Sequence, residues 1–227
     1  MNNGAIIEAR DLHKTYRVGK VDVPALRGVD LAVKRGEFLA IVGPSGSGKS
    51  TLFHIIGALT PPTSGQIKVD ANDLATLSDA GRTRLRKRTV GFVFQKFNLL
   101  PNLTARDNIA VARYISGAPS KSDSQFEEVL RLLGIADRLD HKPNALSGGE
   151  QQRIAIARAI VNHPAILLAD EPTGNLDTEN SKAVLEILRG LNERLGQTIL
   201  MITHNPEAAA YGHSIVHMRD GRIVDRT

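Results

Sequence analysis

The stretch FLAIVGPSGSGKSTLFHIIGAL, residues 38–59, places an apolar run, a glycine-rich loop and a helical pattern in direct succession. Its first five residues are continuously apolar, as expected for a parallel strand buried on both faces. Residues 50–59 are predicted to form a helix, which the following TPPTSG ends. Residues 43–50, GPSGSGKS, match the pattern G-x-x-x-x-G-K-[ST] in full. Because this pattern lies between a predicted strand and a predicted helix, it indicates an α/β core.

The glycine-rich loop carries the chemistry of a phosphate site. Backbone N–H groups of Gly46, Ser47 and Gly48 can surround phosphate oxygens. Lys49 can place its charge on the β- and γ-phosphates, and Ser50 can offer a hydroxyl oxygen to Mg²⁺. A flexible loop without a ligand is the alternative, and the flanking strand and helix argue against it.

Working outward, the chain alternates strand and helix signals around this loop. Residues 1–37 show short apolar runs separated by turn signals, which predict antiparallel strands. Further strands are predicted at residues 66–69, 90–94, 166–169 and 198–202, a helix at 179–195, and a closing hairpin, SIVHMRDGRIVD, that turns at Asp220 and Gly221. The fold class is therefore α/β, a P-loop core with a mainly parallel sheet and an N-terminal antiparallel β subdomain.

A helical insertion is predicted at about residues 96–157, within a single domain that covers 1–227. Thr104 with Asp107 and Ser124 with Glu127 have the spacing of N-terminal capping pairs. Apolar residues follow at helical spacing, and Gly134 is the expected terminator. Residues 82–88, RTRLRKR, form a basic run before the insertion, and such runs are usually solvated faces.

Composition narrows the class of protein. The chain has 227 residues, 41% of them hydrophobic, which is enough for a sizeable core. It has no cysteine, which excludes disulfides and thiolate chemistry. No signal peptide is visible, and the longest apolar runs are far shorter than the roughly 20 residues of a membrane span. We therefore expect a soluble, cytoplasmic protein, whose net charge of +5 does not by itself identify a partner.

Two acids follow the predicted strand in ILLADEP, residues 166–172. Asp170 at the strand end suits the Mg²⁺ shell, through a water molecule. Glu171 leaves the strand in another direction, where it can polarise a water molecule that attacks the γ-phosphate. A solvated acidic turn is the alternative. The pair of acids also argues against a small-molecule kinase, whose acceptor is a substrate hydroxyl.

Three further side chains are candidates with less specific signals. Gln95 ends the strand before the insertion and is either a polar strand end or a ligand of Mg²⁺ or its water. His204 follows the strand at 198–202, at the sheet edge where ligands bind, although a lone histidine is usually structural. Tyr16 is either a core aromatic or a ring that stacks on adenine.

LSGGEQQR, residues 146–153, predicts a second helix start with anion-binding character. Ser147 and Glu150 have the spacing of a capping box. Gly148 and Gly149 each cost about 1 kcal/mol relative to alanine in a helix, yet they leave backbone N–H groups bare at its positive end. No lysine or magnesium-binding acid is adjacent in sequence, so this stretch predicts half a site.

Taken in order, Tyr16, GPSGSGKS, Gln95, LSGGEQQR, ILLADEP, GNLD at 174–177 and His204 resemble the ATPase domain of ABC transporters over essentially the whole chain. LSGGEQQR is highly specific to that family. The stretch GFVFQKFNLLPNLTARDN further resembles the branch that releases lipoproteins or exports macrolides, the LolD/MacB-like group.

The resemblance implies ATP and Mg²⁺ as cofactors and ATP hydrolysis as the reaction. It implies a homodimer that forms head to tail when ATP is bound, so that the signature stretch of one copy covers the γ-phosphate held by the other. It also implies separate transmembrane permease subunits, a position on the inner face of the cell membrane, and no nucleic-acid partner. A groove for the permease is expected between the core and the insertion, near residues 95–101.

The expected site residues fall into five groups. Glu171, His204 and Gln95 are catalytic candidates; Ser50, Gln95 and Asp170 are metal candidates; ATP is expected at Tyr16, Gly43, Pro44, Ser45, Gly46, Ser47, Gly48, Lys49, Ser50 and Thr51; the signature acting in trans is Ser147, Gly148, Gly149 and Glu150; and Asp177 belongs to the dimer loop.

Other ATPases with a related domain remain as the alternative function. Those that act on DNA typically carry a long coiled coil, and the predicted insertion here has no sustained heptads. Those that act on ribosomes normally carry two ATPase domains, and this chain has one P-loop. A GTPase is disfavoured because no Asn-Lys-x-Asp motif occurs.

Overall fold

The computed structural model describes residues 4–117 and 124–227. The strands are β1 Ala5–Val18, β2 Val21–Lys34, β3 Phe38–Val42, β4 Ser64–Val69, β5 Asn72–Asp73, β6 Val90–Phe94, β7 Ile166–Asp170, β8 Thr198–Ile202, β9 Ser214–Arg219 and β10 Arg222–Arg226. The helices are α1 Lys49–Ile56, α2 Asp79–Arg88, α3 Ala105–Ser116, α4 Ser124–Leu133, α5 Gly148–Ile160, α6 Thr178–Leu195 and α7 Pro206–Ala209, with short 3-10 turns at Ala136–Arg138 and Pro143–Ala145.

The central sheet has the strand order β10-β9-β3-β8-β7-β6. Neighbouring strands from β9 to β6 are parallel, and β10 pairs with β9 as an antiparallel hairpin. The predicted parallel core and closing hairpin are confirmed. Because β3, β7 and β8 are parallel, the loops that follow them emerge at one edge of the sheet.

The N-terminal strands form a second, antiparallel sheet with the order β2-β1-β4-β5, as predicted. Helix α1 packs between the two sheets, where it buries Leu52, Phe53, Ile55 and Ile56. This packing fixes the direction of α1, and with it the orientation of the glycine-rich loop at its start.

Strands β3, β7 and β8 have both faces buried, which explains their continuous apolar runs. Leu39 and Ile41 of β3 pack in the core shared with α1, whereas Phe38 and Ala40 pack against the helices on the opposite face. That opposite layer contains α3, α4, α5, α6 and α7. The order of the elements and the two faces define an α/β P-loop fold.

Helix ends in the second layer follow local sequence signals. Thr104 Oγ1 accepts the backbone N–H of Asp107 at 3.1 Å, which confirms the predicted cap of α3. Gly134 follows α4 with φ +60°, in the left-handed region that favours glycine. The predicted cap of α4 depends on the Ser124 side chain, which lies outside the described residues. The boundaries 1–227 and 96–157 of the domain and its insertion stay predictions.

Helix α2 is an element that composition alone did not predict. Ser78 accepts the backbone N–H of Gly81 at 3.2 Å, and Leu85 anchors the helix in the core. Two of its arginine side chains are held by hydrogen bonds to backbone carbonyl groups. Arg82 donates to the Leu77 carbonyl at 2.8 Å, and Arg86 donates to the Ala58 carbonyl at 2.7 Å. Across the described ranges, no helix has both the length and the apolar character needed to cross a bilayer.

Candidate functional site

The glycine-rich loop runs from the end of β3 into α1, and its glycines are required by close backbone approach. Gly43 has φ +153°, and a Cβ atom there would lie 2.2 Å from the Met218 carbonyl oxygen. Gly48 has φ +99° and caps α1, with the Ala25 carbonyl oxygen 2.6 Å from the position of a Cβ. A side chain at either position would force the loop open.

Lys49 lies inside the curl of this loop. Its ammonium group donates to the carbonyl oxygens of Gly43 at 2.8 Å and Pro44 at 2.9 Å. Burial lowers the pKa of Lys49, and the nearby carboxylates of Glu171 and Asp170 partly oppose that shift. These two carboxylates therefore favour the charged form of the lysine, against the effect of burial.

Asp170 and Glu171 follow one another at the end of β7 in different backbone conformations. Burial raises the pKa of Asp170, and the neighbouring Glu171 charge raises it further, while His54 and Lys49 lower it. Glu171 has φ +47°, an uncommon value for a residue with a side chain. Its N–H donates to the Ile202 carbonyl at 2.9 Å, which holds this strained turn against β8.

His204, at the end of β8, meets Glu171 as the parallel sheet requires. The distance from His204 Nδ1 to Glu171 Oε1 is 2.8 Å. The histidine side chain is 74% exposed and the glutamate side chain 18%, so the pair faces solvent from the histidine side. The contact orients the carboxylate that the sequence predicted to be catalytic.

A cavity of about 540 Å³ joins most of the predicted site residues. It is lined by Tyr16, Val23, Pro24, Ala25, Gly43, Ser45, Gly46, Ser47, Gly48, Lys49, Ser50, Thr51, Asp170, Glu171, Ile202 and His204. One end is charged, and the other is apolar around Tyr16. Tyr16 is not a core residue, since it is 38% exposed. Lys14 Nζ lies 5.0 Å from the centroid of its ring.

Gln95 is not part of the lining of this cavity. Its side-chain amide donates to Asn175 Oδ1 at 3.1 Å, and Asn175 Nδ2 donates back to the Gln95 carbonyl at 3.0 Å. A Cβ on Gly174 would lie 2.8 Å from Gln95 Nε2. The amide is thus held by the loop that carries GNLD, which explains why a glycine precedes the asparagine.

The signature stretch starts α5 with a complete capping box. Ser147 Oγ accepts the N–H of Glu150 at 3.2 Å, and Glu150 Oε2 accepts the N–H of Ser147 at 2.8 Å. Arg138 Nε donates to Glu150 Oε1 at 2.6 Å. Together these bonds lower the pKa of Glu150 to about 2, with the Arg138 bond as the largest cause. The signature residues lie outside the cavity around Lys49.

Gly149 has a packing role that the sequence did not indicate. It is buried, and a Cβ there would lie 1.9 Å from Asn180 Oδ1 on α6. Gly148 is only half-buried, and its nearest neighbour would be Leu176 Cδ2 at 3.3 Å. Close packing against α6 therefore requires a glycine at position 149, whether or not the helix start binds an anion as the sequence predicts.

We expect Gly149→Ala to lower the melting temperature by about 2–12 °C, because overpacking costs about 1–3 kcal/mol and each kcal/mol shifts a domain of this size by about 2–4 °C. Thermal unfolding followed by circular dichroism measures this shift. Gly148→Ala is the matched control and should change the midpoint much less. Adding Asn180→Ala removes the two closest atoms and should restore part of the loss. An unchanged midpoint in Gly149→Ala would contradict the packing role.

Asp177 caps α6. Its carboxylate accepts the Asn180 backbone N–H at 2.8 Å and the Asn180 side-chain amide at 2.7 Å. These bonds lower the pKa of Asp177, with the backbone bond as the largest cause. Asn180 therefore contacts both the GNLD loop, through Asp177, and the signature helix, through Gly149.

Sequence reasoning missed the residues that hold the motifs in place. Arg138, Asn180 and Gln152 contact Glu150, Gly149 and Pro172 across the fold. The sequence did not predict the role of Arg138, because its partner Glu150 is 12 positions away in the chain. Gln152 belongs to the motif LSGGEQQR, but the sequence did not predict its burial, because a polar residue in a helix is usually exposed.

The fold and the cavity define a P-loop ATPase in which a second, glycine-bearing helix start, that of α5, lies outside the cavity lining. A sequence profile described as ABC transporter matches residues 26–174, and the chain belongs to the ABC transporter family as an ATP-binding, ATP-hydrolysing domain.

Relatives match nearly all of the chain. An ABC transporter ATP-binding protein of Thermotoga maritima is 48% identical over 96% of this chain and 93% of its own length. A macrolide export ATP-binding/permease protein MacB of Syntrophobacter fumaroxidans is 47% identical over 96% of this chain, which spans 31% of that protein. Among solved structures, the ATP-binding cassette MJ0796, in a dimeric post-hydrolysis state bound to ADP and Pi, is 39% identical with a TM-score of 0.87 over 97% of both chains.

Proposed function

We propose that two copies of this chain close head to tail around two ATP molecules and drive separate membrane subunits of the LolD/MacB-like type. One observation carries the proposal: the cavity joins the glycine-rich loop, the two acids and His204, while the signature helix start lies outside it. The relatives described as dimeric cassettes and as ATP-binding/permease proteins support the same arrangement.

Phosphate binding is assigned to the loop and to Lys49. Backbone N–H groups of residues 46–48 would surround the phosphates, and the lysine would exchange the Gly43 and Pro44 carbonyls for phosphate oxygens. Tyr16 would stack on adenine at the apolar end of the cavity, where its ring is accessible. The remaining loop residues, from Pro44 to Thr51, shape this cradle.

Magnesium suits the donors at the charged end. Ser50 and Asp170 offer a hydroxyl and a carboxylate oxygen, the hard ligands that Mg²⁺ prefers. The ion would neutralise charge on the phosphate oxygens. Gln95 can join this shell only after its amide leaves Asn175, so its metal role requires movement of the GNLD loop.

Hydrolysis is assigned to Glu171 and His204. The Glu171 carboxylate would accept a proton from the attacking water, and His204 would hold the carboxylate in position through the 2.8 Å contact. Phosphate would be released as the product, which removes the ligand that keeps the two copies together.

The signature residues supply the missing half of each site. Their backbone N–H groups lie at the start of α5, outside the cavity of the same chain. They would therefore contact the γ-phosphate of a nucleotide bound to a second copy. Asp177 bonds to Asn180, which packs on Gly149, so the dimer loop and the signature helix start are in contact through Asn180.

A groove of about 450 Å³ between α2, β6, α3 and α5 is the proposed seat of a permease segment. Its floor contains the apolar Phe92 and Phe94, and Arg86, Lys87 and Arg158 line its edge. Arg158 also donates to the carbonyl oxygens of Phe97 and Asn98, which connects the groove to the FNLLP stretch. The basic edge favours a short helix with an acidic side chain.

The basic run of α2 favours this transport role over nucleic-acid binding. Arg82 and Arg86 donate to backbone carbonyls and cannot turn outward without breaking those bonds. The remaining exposed cations of the run are Arg84, Lys87 and Arg88, and Lys87 lines the groove. We therefore propose that the chain reaches the inner face of the cell membrane through its permease partner.

A single-cysteine cross-link tests the groove, because the chain has no native cysteine. Lys87→Cys, labelled with a photoreactive maleimide and mixed with native membranes, should cross-link to an integral membrane protein. Lys68→Cys on the antiparallel sheet is the matched control and should not. Equal labelling from both positions would contradict the groove, and cross-linking to ribosomal protein or DNA would restore the alternative function.

A further inference from the structure

Gln152, in the second turn of the signature helix, is completely buried although it is polar. Its side-chain Nε2 donates to the carbonyl oxygen of Pro172 at 2.6 Å and to that of Phe94 at 3.3 Å. Phe94 and Asp170 are paired across β6 and β7, so Gln152 enters between the ends of two adjacent strands. One of its acceptors immediately follows Glu171, and the other immediately precedes Gln95.

The amide orientation is fixed by chemistry. Both partners are carbonyl oxygens, which only accept hydrogen bonds, so the NH₂ group of Gln152 must face them. Its Oε1 atom is then buried without a hydrogen-bond partner among residues 4–117 and 124–227. Buried polar atoms are normally satisfied, and an exception often marks a site of function.

The turn held by Gln152 is the strained one. Glu171 has φ +47°, and its conformation is held by its N–H bond to Ile202 and by the Gly174 N–H bond to its carbonyl. Neither of these bonds reaches Pro172 or the signature helix. The Gln152 bond to Pro172 is a direct hydrogen bond between α5 and the residue that follows the glutamate.

We infer that Gln152 is a positioning residue for Glu171, which couples the placement of the signature helix to the geometry of water activation. The inference rests on the proposed function of Glu171. A shift of α5 relative to the sheet would strain or break the bond to Pro172 and displace the adjacent glutamate. Each copy's glutamate would then respond to whether that copy's own signature is engaged by the nucleotide on the other copy.

A double-mutant cycle between Gln152→Met and Glu171→Gln tests this role. Methionine has a similar volume and removes both the donor and the unpaired oxygen. Because misplacement of a catalytic group by about 1 Å can cost about 100-fold, we expect Gln152→Met to lower kcat by about tenfold or more. The KM for ATP should stay within about threefold, since the phosphate loop is untouched.

The cycle gives the readout that a merely structural residue would not move. In the Glu171→Gln background, Gln152→Met should change the residual turnover by less than about twofold, because the group it positions is already gone. An additive loss in that background, or near-normal kcat in Gln152→Met alone, would overturn the inference. Retained turnover in Glu171→Gln alone would instead refute the proposed function, so the two failures are distinct.

Gln151→Met is the matched control. Gln151 is adjacent on the same helix, and its amide donates to Leu146 within the same segment at 3.1 Å. We expect its kcat to stay within about twofold of the original. Thermal unfolding of each variant sets the assay temperature below its midpoint.

If Gln152→Met does not fold, the cycle is run with Gln152→Glu, whose carboxyl group keeps one donor when it is protonated. We then expect a smaller loss of kcat with the same non-additivity. An additive loss would again overturn the inference.

Discussion

Replacing Glu171 by glutamine is expected to slow ATP hydrolysis by about 10²–10⁴-fold while ATP still binds. The amide keeps the volume and an oxygen for the contact with His204, but it cannot accept a proton from water. Lys49 and the loop, which would hold the phosphates, are unchanged. Phosphate release under saturating ATP measures the rate, and equilibrium binding of labelled ATP measures retention.

The same variant should form an ATP-dependent dimer, because unhydrolysed nucleotide keeps both composite sites closed. Light scattering with and without ATP gives the mass in each state. Glu186→Gln, an exposed change on α6, is the matched control and should hydrolyse ATP normally. Turnover near that of the original chain in Glu171→Gln would remove the glutamate from the role of general base.

Mixing two defective versions of the chain should restore ATP retention that neither has alone. Both versions carry Glu171→Gln, one with Lys49→Ala and the other with Gly148→Asp. In a head-to-tail dimer, the intact loop of the second chain faces the intact signature of the first and forms one complete site. The mixture should therefore retain up to one ATP per heterodimer, against none for either parent, as measured by labelled ATP on sized dimers.

The structure decides which glycine to change in this experiment. A side chain at Gly149 would collide with Asn180 and disturb the packing of α5 on α6, so loss of function there would be ambiguous. At Gly148 the nearest atom is a leucine methyl group at 3.3 Å, which can move. The introduced carboxylate then acts through charge and bulk at the helix start, where a phosphate is expected.

A control separates action in trans from action within one chain. A heterodimer of a chain carrying only Glu171→Gln and a chain carrying all three changes has no complete composite site, yet it contains one complete chain. Retention by that heterodimer, with none in the first mixture, would place the signature and the loop of one chain on the same nucleotide. Absence of retention in both cases would show that closure needs two complete sites and would reject independent composite sites.

The local motifs could be predicted because the residues that define each of them are consecutive or closely spaced in the sequence. GPSGSGKS needs a strand before it and a helix after it, and the hydrophobic pattern of residues 38–59 supplied both. The capping box of Ser147 and Glu150 and the cap at Thr104 depend on spacing alone, and both formed as predicted. Helix α2 was missed because its sequence has little apolar periodicity, and Leu85 alone anchors it in the core.

Long-range contacts, in contrast, have no signature in consecutive residues. The 2.8 Å contact of His204 with Glu171 exists because β7 and β8 are adjacent and parallel, although 33 positions separate the two residues. Gln95 pairs with Asn175 across 80 positions, which kept it out of the cavity that the sequence suggested for it. Pairing of this kind depends on sheet order, which local patterns do not determine.

By itself, the sequence determined that this chain folds as an α/β P-loop ATPase with a second, capped and glycine-bearing helix start, since strand burial, loop geometry and capping are local properties. Only the tertiary structure decided that Gly149 packs on Asn180 and that Gln152 holds the turn of Glu171. It also decided that the signature lies outside its own chain's nucleotide cavity. The physical reason is that these distances are set by the order of strands in the sheet and the packing of α5 against α6, which join residues far apart in the chain.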